Sequence, residues 1–375
     1  MRFVTKRLCN RIKMIRLHVL NDTIMQKIPK RQQQIIEMLR ESSLLQSSDI
    51  HAALMKKGDN ASLVTIKREL SDMVETGLVV SEGLGRAVSY AVSTKGRVFA
   101  AVDAKAYCAV EPDMRHGSDT YNFDLFSHFP EELFSEQEMQ RLNDATRRYQ
   151  KNIQDTSPTA EKKELERLVV ELSWKSSRIE GNTYTLLDTE KLIRDNIEAP
   201  GHAKEEAQMI LNHKDAFRYV HEQRILFEVL TRKSIEEVHA LVVKDMGISS
   251  GVRKSLVGIL GSRYRPLDNA HQIIEAVDAL CGAIARVSSS YTRALLALAG
   301  IAYIQPFEDG NKRTSRLVCN AVLLAHGCSP LSYRSVHEEE YREAMLALYE
   351  LNTLMPLKKI FIEQYEFAVE NYAVG

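Results

Sequence analysis

Apolar side chains recur three and four residues apart over most of this 375-residue chain, the period of helices that bury one face. Near the start, "RQQQIIEMLRES" sets Ile35, Ile36 and Leu39 on one helical stripe. "SSDIHAALMKKG" follows, opening on a Ser/Asp cap and closing at Gly58. In "NASLVTIKRELSDMVETG" Leu63, Ile66, Leu70 and Val74 keep the helical spacing, Asn60 or Ser62 can cap the start, and Gly77 ends the run. The period then drops to two, and "LVVSEGLGRAVSYAVS" alternates like two strands around a Gly-rich turn. From about residue 131 helical patterns dominate. The exception is "SGVRKSLVGILGSRYRPLDN", where β-type residues and turn glycines stand between helical stretches. Internal repeats and low-complexity segments are absent.

The order helix, helix, helix, two-stranded wing resembles a small winged helix-turn-helix domain, expected over 31–95. It follows a basic N-terminal extension at 1–30 and precedes a linker of mixed composition at 96–130, with a helical domain over 131–375. On the third helix Thr65, Lys67 and Arg68 fall on the solvent side, and Arg86 lies on the wing. Such residues suit DNA phosphates and a base edge. Winged helices also dock proteins, so both partners stay open for this unit.

Charge narrows the picture little, because 50 basic residues balance 50 acidic ones and leave no global bias toward nucleic acid or membrane. The five cysteines are odd in number, scattered and free of CxxC pairs, which argues for a reducing cytoplasm and against a zinc site. No apolar run approaches membrane-spanning length, so no membrane partner is expected. The first 21 residues carry six Lys or Arg, but these are interspersed with the apolar residues rather than preceding an apolar core, unlike a signal peptide.

Candidate chemistry is concentrated in "YIQPFEDGNKRTSRL", residues 303–317. Gly310 and Asn311 stand just before an apolar-periodic helix containing Leu317, Val318, Ala321 and Leu324. Backbone N–H groups at a helix start point outward unpaired, and glycine lets a phosphate approach closely. Asp309 is a hard oxygen ligand suited to Mg²⁺ bridging two phosphates. Arg313 and Arg316, three apart, share a helix face and can grip successive phosphates.

This stretch resembles the core motif of the Fic (Fic/Doc) family, His-x-Phe-x-Asp/Glu-Gly-Asn-Gly/Lys-Arg-x-x-Arg, matched at Phe307, Asp309, Gly310, Asn311, Lys312, Arg313 and Arg316. The resemblance implies a mainly α fold with a short β-hairpin flap, ATP and Mg²⁺ as substrate and cofactor, and transfer of AMP to a Ser, Thr or Tyr hydroxyl of a protein. A homodimer is left open. "ELSWKSSRIEGNTYTLLDTEKLI" resembles the family's autoinhibitory helix, expected around 166–182, with Ser176, Glu180 and Gly181 in register. By that resemblance Glu180 pairs with Arg316 and takes the place of the γ-phosphate. Its i, i+4 spacing puts Ser176 and Glu180 on one face, and Gly181-Asn182 is a natural helix C-cap. "VGILGSRYRPL" resembles the flap, with Val257, Gly258, Ile259, Leu260 and Gly261 presenting an exposed edge to a target peptide. Tyr341 is the candidate for the adenine side, with a core tyrosine as the alternative.

The motif is broken at its first position, where Gln305 stands in place of the histidine that takes the proton of the target hydroxyl. A glutamine amide is neither acid nor base near neutral pH, and losing a general base costs roughly 10²–10⁴ in rate. Transfer is therefore expected to be weak or absent, and nucleotide binding to survive. A second reading is a nucleotide-sensing regulator that binds DNA or protein. A third, suggested by Lys312, is Doc-like phosphoryl transfer.

Overall fold

The computed structural model describes residues 28–42 and 44–372; of Arg86 it describes the backbone alone, so its expected side-chain role lies outside the described residues, as does the extension up to residue 27. The N-terminal unit runs α1 (Lys30–Ser42), β1 (Leu45–Gln46), α2 (Ser47–Lys56), α3 (Leu63–Glu75), β2 (Val79–Glu82), β3 (Ser89–Val92) and α4 (Thr94–Val98). Its three short strands form one antiparallel sheet in the order β1-β3-β2, with Leu45 opposite Tyr90 and Val79 opposite Val92. Of the two candidate caps for α3, Ser62 is the one used, its hydroxyl accepting from Thr65 N at 3.2 Å. The buried stripes are those that periodicity marks, Ile35, Ile36 and Leu39 on α1 and Ile66 and Leu70 on α3. The β2–β3 turn needs glycine at 83: its φ is +87°, and a Cβ there would meet Ala87 O at 2.7 Å.

The segment 96–130 is not the free linker expected. It folds into α5 (Ala104–Cys108) and α6 (Asp124–Ser127) and packs on the helical body, burying Val98, Phe99, Tyr107, Leu125 and Phe126. Leu354 N donates to Val98 O at 3.0 Å, Thr353 Oγ1 to Ala100 O at 2.6 Å, and Asn122 N to Tyr303 Oη at 2.9 Å. Its apolar residues are too scattered to show a period, which is why the sequence pattern reads as a linker.

The body comprises α7 (Glu136–Asp155), α8 (Pro158–Ile179), α9 (Leu186–Asp195), α10 (Lys204–Glu222), α11 (Arg232–Val242), α12 (Ala270–Arg286), α13 (Ser290–Ile304), α14 (Asn311–Ala325), α15 (Glu338–Leu351) and α16 (Met355–Tyr372). Its centre is α13, whose Ala/Leu/Ile run is buried nearly all round, as in a helix enclosed by others. Gly300 lets α12 approach it, since a Cβ there would lie 2.3 Å from Leu280 Cδ1. The loop 305–310 turns the chain from α13 into α14, and α8, α10 and α11 pack against α14.

One expectation fails. Residues 257–261 form no β-hairpin: the sheet of the N-terminal unit is the only one among the described residues. The segment makes a turn closed by Ser262 N to Ile259 O at 3.1 Å, without a ladder. Its bonds go to side chains and to the body instead, so β-branched residues alone do not create strands where no partner runs alongside.

Candidate functional site

The loop between α13 and α14 is shaped by its own side chains. Gln305 ends α13 in the left-handed region (φ 52°, ψ 58°), a conformation few non-glycine residues adopt. Its Nε2 donates to Ala302 O at 2.7 Å, and its carbonyl accepts from Arg253 Nε at 2.7 Å. Asn311 clamps the far end: Phe307 N donates to Asn311 Oδ1 and Asn311 Nδ2 donates to Phe307 O, both at 2.8 Å. The Asn311 side chain thus holds the loop, leaving its backbone N–H as its contribution to an anion. Gly310 is the N-cap of α14 at φ +77°, with Val243 and Val242 packed so closely that an added Cβ would lie 3.1 and 3.2 Å from them.

Asp309 projects outward, its side chain 60% exposed, and its Oδ2 accepts from the buried Arg313 at 3.1 Å. Phe307 stacks face to face on His239, ring centroids 3.7 Å apart, and His239 Nε2 sits 3.0 Å from Asp309 O. Burial pushes His239 down to about 4, opposed by that carbonyl and reinforced by Arg313. A neutral imidazole then donates its Nε2–H to the carbonyl and braces the loop from behind.

Arg316 is fully buried and taken by α8. Its Nε donates to Ser176 Oγ at 2.8 Å, and its Nη2 donates both to Ser176 O at 2.9 Å and to Glu180 Oε1 at 2.8 Å. Glu180 Oε2 lies 3.4 Å from Lys312 Nζ, so one carboxylate spans two cations of α14. Burial would raise the Glu180 pKa, but Arg316 first, then Lys312, hold it below its ordinary range. Arg316 Nη1 is buried without a hydrogen-bond partner.

The C-terminus of α8 is fixed for this purpose. Glu180 is the C-cap, Gly181 follows at φ +98°, and Asn182 N returns to Ser177 O at 3.2 Å, as a Gly-terminated helix end does. Arg342 donates to Ile179 O at 3.1 Å, while Lys175 and Arg178 both reach Glu338 at 3.0 Å. Four of the anticipated residues, Ser176, Glu180, Lys312 and Arg316, therefore meet in one cluster.

Tyr341 is placed differently from an adenine wall. It is buried, with the Arg316 guanidinium carbon 5.7 Å from its ring centroid, so it supports the arginine from beneath. This is the core-tyrosine alternative. Val257 to Gly261 reach the surface at a fully exposed Leu260. The base of that segment is stapled by Arg253, which joins Gln305 O, Ser255 O and Leu267 O, and by Tyr264 Oη, which donates to Tyr303 O at 3.0 Å. Near its tip, Ser262 Oγ donates to Glu350 at 2.7 Å.

Several groups had no sequence signal. Arg253 looks like any basic loop residue, and its role appears only when 253 and 305 meet in space. His213 on α10 is wholly enclosed with both ring nitrogens unpartnered; burial drives its pKa well below the ordinary value, and Arg316 and Arg313 drive it further. A basic residue three before Arg316 was readable, yet Arg313 turns to Asp309 rather than to the partner of Arg316.

An anion fits these residues: an orphaned guanidinium nitrogen, an outward carboxylate and the start of a 15-residue helix adjoin one another. Among the described residues no group of three or more His, Cys, Asp or Glu could hold a metal. A divalent cation would therefore need Asp309 together with oxygens of the bound anion.

Residues 229–323 match the Fic/DOC family model. The chain is 30% identical over 172 residues to a protein adenylyltransferase Fic of Nematostella vectensis, covering 45% of this chain and 40% of that protein. It is 27% identical over 194 residues to one of Aedes aegypti, covering 51% and 39%. The matched part thus spans well under half of these relatives. Among solved structures, a Fic-1 fragment from C. elegans has a TM-score of 0.54 at 20% identity, covering 63% of this chain and 71% of that one. A Fic family protein from Desulfovibrio desulfuricans has a TM-score of 0.51 at 19% identity, covering 65% and 76%. These structures share the fold.

Proposed function

We propose that this chain, whose residues 229–323 form a Fic/DOC family domain, is built to transfer the AMP part of ATP to a Ser, Thr or Tyr hydroxyl of a protein, is restrained by Glu180, and is weakened at the chemical step by Gln305. The observation that carries the reading is the grip of α8 on Arg316, in which Glu180 places a carboxylate at 2.8 Å where an anionic substrate would otherwise pair. The start of α14 and Arg313 would take the phosphates, and Asp309 would take Mg²⁺, which supplies charge neutralisation between them. Arg316 would receive the terminal phosphate only after Glu180 withdraws.

In transfer, the target oxygen forms a bond to the α-phosphorus, pyrophosphate leaves, and the hydroxyl proton must go to a base. Gln305 offers none, and its amide nitrogen is already committed to Ala302 O. The same fact favours a second reading, a nucleotide-binding regulator without transferase activity. In that reading the N-terminal unit, taken as a winged helix-turn-helix domain, meets DNA through Lys67 and Arg68, which are exposed on α3 and without ion-pair partners among the described residues.

The test is transfer of label from ATP labelled at the α-phosphate. Gln305→His alone is expected to give little auto-modification, Glu180→Gly alone almost none, and the double variant a clear signal. Strong transfer by Glu180→Gly with Gln305 intact would overturn the impaired-enzyme reading. If the double variant takes label from the γ-phosphate instead, Lys312-associated phosphoryl transfer replaces adenylyl transfer.

A further inference from the structure

A cavity of about 440 Å³ lies far along the chain from the Arg316 cluster, where α1 faces the segment 100–116. That is a size at which small-molecule sites occur. Ile36, Val110, Met114 and Leu351 give it apolar walls, and Arg40 and Gln34 contribute polar groups. Arg40 is the anomaly. Its Nε and Nη2, the two nitrogens of the guanidinium's side-on fork, are buried and have no hydrogen-bond partner. An unpaired buried charge is costly, and this fork is the geometry that accepts a carboxylate through two parallel bonds. Burial first, and the neighbouring Arg97 second, push its pKa down to about 10, so it remains a cation at neutral pH.

The other charged groups of the wall are accounted for. Arg115 donates to Glu350, to Gly261 O and to two carbonyls of its own segment, and Tyr107 Oη donates to Glu350 at 2.6 Å. Glu37 and Asp103 also line the cavity without bonding to Arg40, and would repel a second negative charge. The chain's first 21 residues hold six Lys or Arg and no acid, so they cannot supply the missing anion.

We propose that this cavity binds a small monocarboxylic acid with an apolar body, the carboxylate paired to Arg40 and the body against Ile36, Val110 and Met114. The site uses none of the residues assigned to nucleotide, so it stands whether or not the chain transfers AMP.

Calorimetry on the full chain with hexanoate, benzoate, hexanol and hexyl phosphate tests it. Hexanoate or benzoate is expected to bind, with hexanol about tenfold or more weaker because it lacks the charge-assisted pair. Hexyl phosphate, a dianion near neutral pH, is expected to bind less tightly than hexanoate. Arg40→Gln should abolish carboxylate binding without loss of folding, since the fork makes no bonds to lose. Ala106→Trp, at an exposed residue of the wall, should block the cavity and give the same loss by filling rather than by charge. The proposal is overturned if neither carboxylate binds at about 10 mM, if hexanol matches hexanoate, if hexyl phosphate binds more tightly, or if both variants bind as the parent does.

Discussion

Gln305 sits at a left-handed backbone position, and histidine is among the residues enriched there. Gln305→His should therefore fold as the parent does, its unfolding free energy within about 0.5 kcal/mol on denaturant titration. A larger loss would mean that the amide bond to Ala302 O carries more of the loop than its geometry suggests. His213 and His239 make a second expectation at this scale. Both have folded pKa values below the ordinary histidine value, His239 at about 4. The unfolded chain then binds protons more readily, and stability falls as pH drops from about 6.5 toward 4. Each group contributes up to about 1.4 kcal/mol per pH unit across that window. His213 is faced by Arg316 and Arg313, and His239 by Arg313 and Asp309, so both slopes arise at the site. His213→Asn should flatten the pH dependence measured by chemical denaturation; an unchanged slope would show that His213 is protonated in the folded protein. Glu180, held low, loses its contribution only below the ordinary carboxylate range, so the two effects separate on the pH axis.

Among the elements, α8 and α14 show most clearly what a linear pattern can carry. The i, i+4 pair Ser176 and Glu180, the Gly181 terminator and the Asp309 to Arg316 run are local patterns, and each is read without knowing the fold. What needed three dimensions was direction: Lys312 turns to Glu180, Arg313 to Asp309, and Tyr341 lies under Arg316. The 257–261 segment misled because strand formation depends on a neighbouring backbone, which no local pattern supplies. The clamp itself makes an energetic prediction. Removing one partner of a buried ion pair costs about 3–5 kcal/mol, because the other charge is left uncompensated. Glu180→Gly should therefore lower the melting temperature of the nucleotide-free protein, and ATP with Mg²⁺ should restore it further than ADP with Mg²⁺ does, since only the triphosphate reaches Arg316. Equal restoration by both nucleotides would rule out the proposed pairing of Arg316 with a terminal phosphate.

Across the whole molecule, one hydrophobic core runs from Ile28 to Tyr372, and the segment 96–130 joins the N-terminal unit to the body rather than merely linking them. Composition gives no hint of that junction, because its contacts are single backbone and side-chain bonds between distant residues. Charge balance at this scale also limits how the chain could meet DNA. With 50 basic and 50 acidic residues, no long-range field gathers the polyanion, and any affinity must come from a local patch. On α3 that patch is Lys67 and Arg68, while nearby Arg31 is already tied to Asp59 and Glu69. Few phosphate contacts mean a shallow dependence on salt, with log affinity falling against log salt by about 0.9 per neutralised phosphate. Lys67→Ala and Arg68→Ala should each weaken binding to duplex DNA about equally across sequences and reduce that slope by about one. Thr65 points elsewhere, its hydroxyl 2.9 Å from Ser62 Oγ at the helix cap, so Thr65→Ala should leave the slope unchanged. Fluorescence anisotropy over a series of salt concentrations reads all three variants. Binding that is undetectable, or insensitive to both salt and these substitutions, would assign the exposed face of α3 to a protein partner instead.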